Sequence, residues 1–372
     1  MFNEFNNETF KLDAELNSLQ PKNKYTEKTP VVEIFSAMVR GDDTSKYGEK
    51  ANKTYAYIKG LAEKANKGSG EAKVELNAIT TVSLEAPLLK RLQLFSFMGN
   101  VTTVGYNEEL RYKIYKLQGK MSNWQASQGD VTFPVSTWET RPFATKTVSG
   151  GLAMNYRELA TGNFDGMGQA QEQTLTDMTN KCFYMVSKEL YEGVKNASGI
   201  KHFVESAGIA PSAVKNMLKK IRRWGKVGIF GDYSVVSQLN DMAGFKADPA
   251  DANATKLSEA VMEEIRRTGL LSTLNGAPVV EIPNSYNLTK LNSAGDNYQT
   301  YLPEGLLYFL VNGEMSPLQI GYRGGLQSAT GFSIVNGMHL QRMDLEIGAI
   351  IIPEYVPLVG LISDSNYEID KE

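Results

Sequence analysis

One cysteine, two histidines and three tryptophans among 372 residues leave little material for metal or redox chemistry. A lone Cys182 excludes an intrachain disulfide and fits a reducing compartment. It has no nearby histidine to make it a nucleophile. His202 and His339 have no His or Cys partner at ligand spacing, so no metal site is expected. His339, between Met338 and Leu340 in a predicted strand, reads as structural. Phosphate-loop chemistry is also missing, because Gly119-Lys120 is followed by Met121 and Gly225-Lys226 by Val227. No serine sits in a Gly-x-Ser-x-Gly elbow. The glycine pairs Gly150-Gly151 and Gly324-Gly325 read as bends, since neither follows a buried strand and opens a helix. No catalytic residue and no cofactor is expected, and the chain does not read as an enzyme.

Charge of one sign is lacking too. Lysine plus arginine number 39 against 42 acids, a net charge of −3, which lacks the basic footprint of sequence-specific nucleic-acid binding. No apolar run approaches the roughly 20 residues of a membrane span, and Met1-Phe2-Asn3-Glu4 does not open a signal peptide. The chain is expected to be soluble and intracellular when made, with no membrane partner. Its 42% hydrophobic and 22% charged residues are those of a folded protein, and its length predicts about two domains.

What is present is a long β-hairpin, from 107 to 148. Glu109-Leu110-Arg111-Tyr112-Lys113-Ile114 alternates charged and apolar residues with period two, one set on each face of a strand. Val131, Phe133 and Val135 repeat the device on the falling limb, and Trp138 and Phe143 extend it. Between the limbs Gln118 to Asp130, bounded by glycines, is far longer than a tight turn. An isolated hairpin is marginal in water, so this one is expected to rest on something outside its own chain.

Around it, residues 1–75 mix Asn, Lys, Glu and small residues, and read as a flexible or loosely packed arm in preference to a separate folded domain. Short helices are expected near Val31–Val39 and Lys53–Ala65, without a core of their own. Val74 to Gly99 turns apolar, as docking surface or as ordinary core. A long helix is predicted over 163–197, striped by Leu175, Met178, Cys182, Val186, Leu190 and Val194. An α/β module follows. Pro211 opens a helix, Lys226 to Phe230 is a short strand, and Asp232 caps a further helix. Leu257, Val261 and Ile265 mark another helix, and Gly276 to Pro283 holds a second strand. The closing segments are β: Leu306–Val311, then Met343, Leu345 and Ile347 running into Ala349 to Ile352, buried on both faces, then Val356–Ile362. One charged stretch stands out. Lys215, Lys219, Lys220, Arg222, Arg223 and Lys226 occur without an acid, as a phosphate-binding or acid-binding patch or as the solvated face of a helix.

The order of parts, with Asn275-Gly276-Ala277-Pro278-Val279-Val280-Glu281-Ile282-Pro283 and the late Gly348-Ala349-Ile350-Ile351-Ile352, resembles the major capsid proteins of tailed bacteriophages over residues 75–365. The resemblance implies the α+β Hong Kong ninety-seven-type shell fold. Its parts would be an N-terminal arm (1–99), an extended loop (100–153), a peripheral domain with the spine helix (154–205 and 317–353) and an axial domain (206–316 and 354–372). It implies that the loop lies across a neighbouring subunit, with Arg111, Lys113, Lys116, Lys120, Trp124, Phe133 and Trp138 at the interface. Copies of the chain would assemble as pentamers and hexamers with a separate scaffolding protein, a portal and decoration proteins, contacting packaged DNA non-specifically. Lys120 is the only lysine at the tip placed for the covalent crosslink of some members. No Asn or Glu can be assigned beside it, so crosslinking is not expected; with only about 75 residues before the matching region, removal of an N-terminal scaffolding segment is not expected either. An encapsulin-type compartment enclosing a cargo enzyme is the near alternative, and a cytosolic α/β enzyme with scattered carboxylates the distant one.

Overall fold

The structure is a computed structural model. It describes residues 25–115 and 138–369, apart from 155, 163–164, 243–244, 247–254, 257–258, 294, 314 and 334–337. The chain begins with helices α1 (Pro30–Arg40), α2 (Glu49–Asn66), α3 (Gly70–Arg91) and a short α4 (Phe95–Met98). Strands β1 (Asn100–Val104), β2 (Arg111–Tyr115), β3 (Trp138–Pro142) and β4 (Lys146–Met154) come next. Helix α5 (Tyr156–Thr161) and the 31-residue α6 (Asp165–Lys195) follow. The middle of the chain is β5 (His202–Ser206), α7 (Pro211–Ile221), β6 (Lys226–Gly231), α8 (Tyr233–Val236), β7 (Phe245–Lys246), β8 (Thr255–Lys256) and α9 (Glu259–Thr268). It closes with β9 (Thr273–Leu274), β10 (Ala277–Glu281), β11 (Tyr286–Leu291), β12 (Tyr298–Thr300), β13 (Leu306–Asn312), β14 (Leu318–Ser333), β15 (Met338–Ile351) and β16 (Val359–Asp364). This is an α+β chain. It forms two compact units, one of 1–93, 147–181 and 324–346, the other of 94–146, 182–323 and 347–372.

In the first unit the expectation of a loosely packed arm is corrected. Val31, Val32, Ile34, Phe35, Ala37 and Val39 of α1 are buried, as are Ile58, Leu61 and Ala62 of α2 and Leu76 and Ile79 of α3. Small residues such as Ala51, Ala65, Ala72 and Ala78 are buried too and let the helices approach closely. Average composition hid this core, because the apolar stripes are diluted by lysine and asparagine on the outer faces. Ser69 caps α3 by accepting from the Ala72 amide at 3.4 Å. The buried Glu75 accepts from the Tyr25 hydroxyl. Of the apolar run 74–99, Leu84, Leu88, Leu92, Phe95 and Met98 are core, whereas Val74, Leu89 and Phe97 are exposed. Deeper in the unit, Gln341 donates to the Thr81 hydroxyl at 2.9 Å and Thr81 also bonds Ser328. Gly168 of α6 lies so close to the Val39 carbonyl that a Cβ would sit 2.1 Å from its oxygen.

The second unit is built on a six-stranded mixed sheet in the order β5-β16-β13-β6-β10-β9. β16 lies parallel to β5 and antiparallel to β13, and all six of its residues are buried. Its start is three residues later than expected, because Pro353 to Leu358 wind into a 3₁₀ turn. β6 runs parallel to β10, as the α/β pattern of this stretch requires. Helix α7 buries Val214, Met217, Leu218 and Ile221 against the sheet, and Asp232 caps α8 through the Ser234 amide. Between β9 and β10, Asn275 (φ 51°) and Gly276 (φ 76°) form a two-residue turn of the type that needs positive φ at both positions. Of the expected third helix, α9 is present and buries nothing fully, and Leu257 lies outside the described residues.

The predicted stripe Leu175, Met178, Cys182, Val186, Leu190 and Val194 is buried along α6. Alternation in β15 is also as read, with Met343, Leu345 and Ile347 buried. Ala349 and Ile350 differ from the expectation: they are only half-buried, and Ile350 leans on the edge of the second unit's core. β1, β14, β15 and β4 form a four-stranded sheet in that order. His339 lies in β15, as predicted.

Candidate functional site

Among the described residues no group of three His, Cys, Asp or Glu side chains could hold a metal ion. No described helix is long and apolar enough to cross a membrane. Two adjoining grooves in the first unit, about 860 and 910 Å³, share Ser36, Arg40, Ser83, Pro87 and Lys90 and pair no nucleophile with a base. Cys182 is fully buried, and that burial pushes its thiol up to about 12. A thiol held neutral is no nucleophile at physiological pH.

The feature that carries information is the hairpin. β2 and β3 pair antiparallel, with Arg111 opposite Pro142, Lys113 opposite Thr140 and Tyr115 opposite Trp138. One face belongs to the chain's own core: Leu110, Tyr112 and Ile114 are buried, the last two in the main cluster of the second unit. Leu110 fills the space that a side chain at Gly321 would need. The Tyr355 hydroxyl accepts from the Tyr115 amide at 2.7 Å and donates to the Tyr115 carbonyl at 3.0 Å. Arg141 reaches Glu354 at 3.0 Å. The base of the hairpin is therefore anchored within its own unit, which corrects the expectation that its support is wholly external. Period-two alternation already separated Leu110, Tyr112 and Ile114 from the charged face. It could not say that the chain itself would cover them.

The opposite face is left in water. Arg111, Lys113, Tyr115 and Trp138 are exposed, Trp138 by 63%. Among the described residues Arg111 makes a local pair with Glu109 at 3.1 Å. Of the residues expected at an interface, Arg111, Lys113 and Trp138 thus share one surface, and Tyr115 joins them unforeseen. Lys116, Lys120, Trp124 and Phe133 lie outside the described residues. A second exposed apolar surface, missed in the sequence, is the β11–β12 ribbon with Tyr286, Leu288, Leu291 and Tyr298. Its apolar residues are spaced by polar ones, so it reads as an ordinary half-buried strand.

The basic stretch is divided by the fold. Lys215, Lys219, Lys220 and Arg223 are exposed on and beyond α7. Arg222 instead donates to the Asn275 carbonyl at 2.7 Å, closing the β9–β10 turn. His202 of β5 lies beside Lys220; burial and then that lysine's charge hold its imidazole below the ordinary value.

Over residues 15–363 the chain matches the model of the family described as SPbeta prophage-derived putative capsid protein YonB, and it belongs to that family. No curated protein matches it. Several solved structures are similar to the chain at low identity. A virus-like particle from Pyrococcus furiosus is 13% identical, with 75% of this chain and 98% of that chain covered and a TM-score of 0.44. A structure from Gordonia phage Cozz is 15% identical, with 73% and 86% covered and a TM-score of 0.45. The capsid of a native GTA particle is 13% identical, with 72% and 88% covered and a TM-score of 0.47.

Proposed function

We propose that the chain is the structural shell subunit of a tailed-phage head, assembling with copies of itself into pentamers and hexamers that enclose double-stranded DNA. Membership of a capsid family carries the reading. The hairpin gives it a physical form. Its inner face is spent on the subunit's own core, while Arg111, Lys113, Tyr115 and Trp138 offer a mixed aromatic and cationic surface. Aromatic residues and arginine are enriched where protein surfaces bury each other, so this face is assigned to a neighbouring subunit. An N-terminal arm, an extended loop, a peripheral domain with α6 as spine helix and an axial domain remain part of this proposal, although the two compact units divide the chain at other positions. From residue 25 on, the arm is a folded helical body rather than a loose tail. Assembly takes place in the host cytoplasm, with a scaffolding protein, a portal and decoration proteins as further partners.

The test is Arg111→Glu with Lys113→Glu in the full chain, expressed with the scaffolding protein of the same phage. A soluble subunit with unchanged melting temperature that no longer forms shells in negative-stain micrographs is the expected result. Shells at wild-type yield would reject the assignment of this face. Particles holding one protein cargo and no DNA would favour an encapsulin-like compartment instead.

A further inference from the structure

Near-neutral overall charge conceals one local concentration of cations. Lys219, Lys220 and Arg223, with His202, Asn216 and Trp224, line a single concave depression of about 620 Å³ in the second unit. No carboxylate lines it. Among the described residues none of the three cations has an ion-pair partner. Lys219 and Lys220 fall in the last turn of α7, where the helix dipole favours positive charge. That effect accounts for two lysines at a helix end. It does not account for Arg223 beyond the helix, nor for an indole left 46% exposed beside them. The backbone at Trp224 is held by its amide, which donates to the Ile221 carbonyl at 2.9 Å. Arg222, the neighbour that could have joined the patch, is instead tied to the β9–β10 turn through the Asn275 carbonyl.

Three unpaired cations beside a half-exposed aromatic ring in a shallow groove match the chemistry of a polynucleotide. The cations meet successive phosphates, and the ring gives a base a face to stack on. An acidic peptide would be served by the charges but has no use for the indole. We propose that this depression is a phosphodiester-binding site, through which each subunit holds a nucleic-acid backbone weakly and without sequence preference. The identity of the polyanion rests on the reading of the chain as a DNA-enclosing shell; the binding chemistry does not. Weak contacts suit such a container, because many copies acting together multiply a feeble single-site affinity.

The experiment titrates the full-length chain into fluorescent dT30, a 30-base-pair duplex and poly-glutamate at 50 and 200 mM salt, with micrographs taken of the same samples. About three neutralised phosphates predict a log–log salt slope near −2.7 for the duplex, hence roughly 40-fold weaker binding at the higher salt. Lys219→Glu with Lys220→Glu and Arg223→Glu should weaken binding more than tenfold. A matched control, Lys50→Glu with Lys64→Glu and Lys67→Glu, should leave it unchanged. The three-glutamine version of the depression guards against misfolding and should show the same loss in smaller degree. Trp224→Ala should cost about tenfold for dT30 and less for the duplex. Preference for dT30 identifies unpaired strands as the ligand, and preference for the duplex identifies packaged DNA. Wild-type binding by a folded glutamate or glutamine variant overturns the site. Poly-glutamate bound as tightly as DNA, through the same residues, would overturn it in favour of an acidic protein partner. Loss of binding with shells intact concerns the depression alone, whereas retained binding without shells in any sample would count against the shell reading and leave the site standing.

Discussion

The Tyr355 hydroxyl closes both the amide and the carbonyl of Tyr115, the last described residue of the rising limb. Tyr355→Phe would leave two strand groups without that partner and should cost about 1–3 kcal/mol. Denaturant unfolding checks the cost, and hydrogen exchange at Tyr115 should quicken. Cys182 gives a chemical test of burial. With its thiol pushed up to about 12, it should resist iodoacetamide at pH 8 in the folded chain and react fully in guanidinium. His202 carries a pH signature. Its folded imidazole titrates below its ordinary value, so the unfolded chain takes up a proton near pH 6.5 that the folded chain resists. Stability should therefore fall as pH drops below about 6.5, and His202→Gln should flatten that part of the profile in thermal melts.

At the scale of elements, the two faces of the β2–β3 hairpin make opposite predictions. Ile114→Ala on the inner face should destabilise the isolated subunit by about 2–5 kcal/mol. Trp138→Ala on the outer face should leave its melting temperature unmoved and reduce shell yield. Equal destabilisation by both would mean that the hairpin serves folding alone. Gly168→Ala should also be costly, about 1–3 kcal/mol, because α6 approaches the Val39 carbonyl too closely for a Cβ. Sequence reading was strongest where a periodic stripe decides the element. The α6 stripe, α7 opened by Pro211, the Lys226–Gly231 strand and the alternation in β15 were all legible. It was weakest where neighbours decide. The α1–α3 core depends on alanines whose value lies in close helix approach, and the burial of Tyr112 and Ile114 depends on residues such as Tyr355, distant in sequence. The exposed hairpin face was half legible: Arg111, Lys113 and Trp138 could be placed together, while Tyr115 became visible only through its register with Trp138.

For the whole molecule, a net charge of −3 and 42% hydrophobic residues are those of an ordinary folded chain and say nothing of its destination. What sets it apart is surface left unspent after each unit has built its core. The outer hairpin face, the β11–β12 ribbon and the cationic depression all lie on the second unit. Shells gain stability from area buried between copies, and an exposed indole and phenol are surfaces that association removes from water. The most direct test is a cryo-electron microscopy map of particles formed by the full chain, alone and together with the scaffolding protein proposed for it. The expected result is a closed shell of pentamers and hexamers in which Arg111, Lys113, Tyr115 and Trp138 are buried against the next subunit. A chain that stays monomeric under every assembly condition, or a shell that leaves this face in solvent, would contradict it.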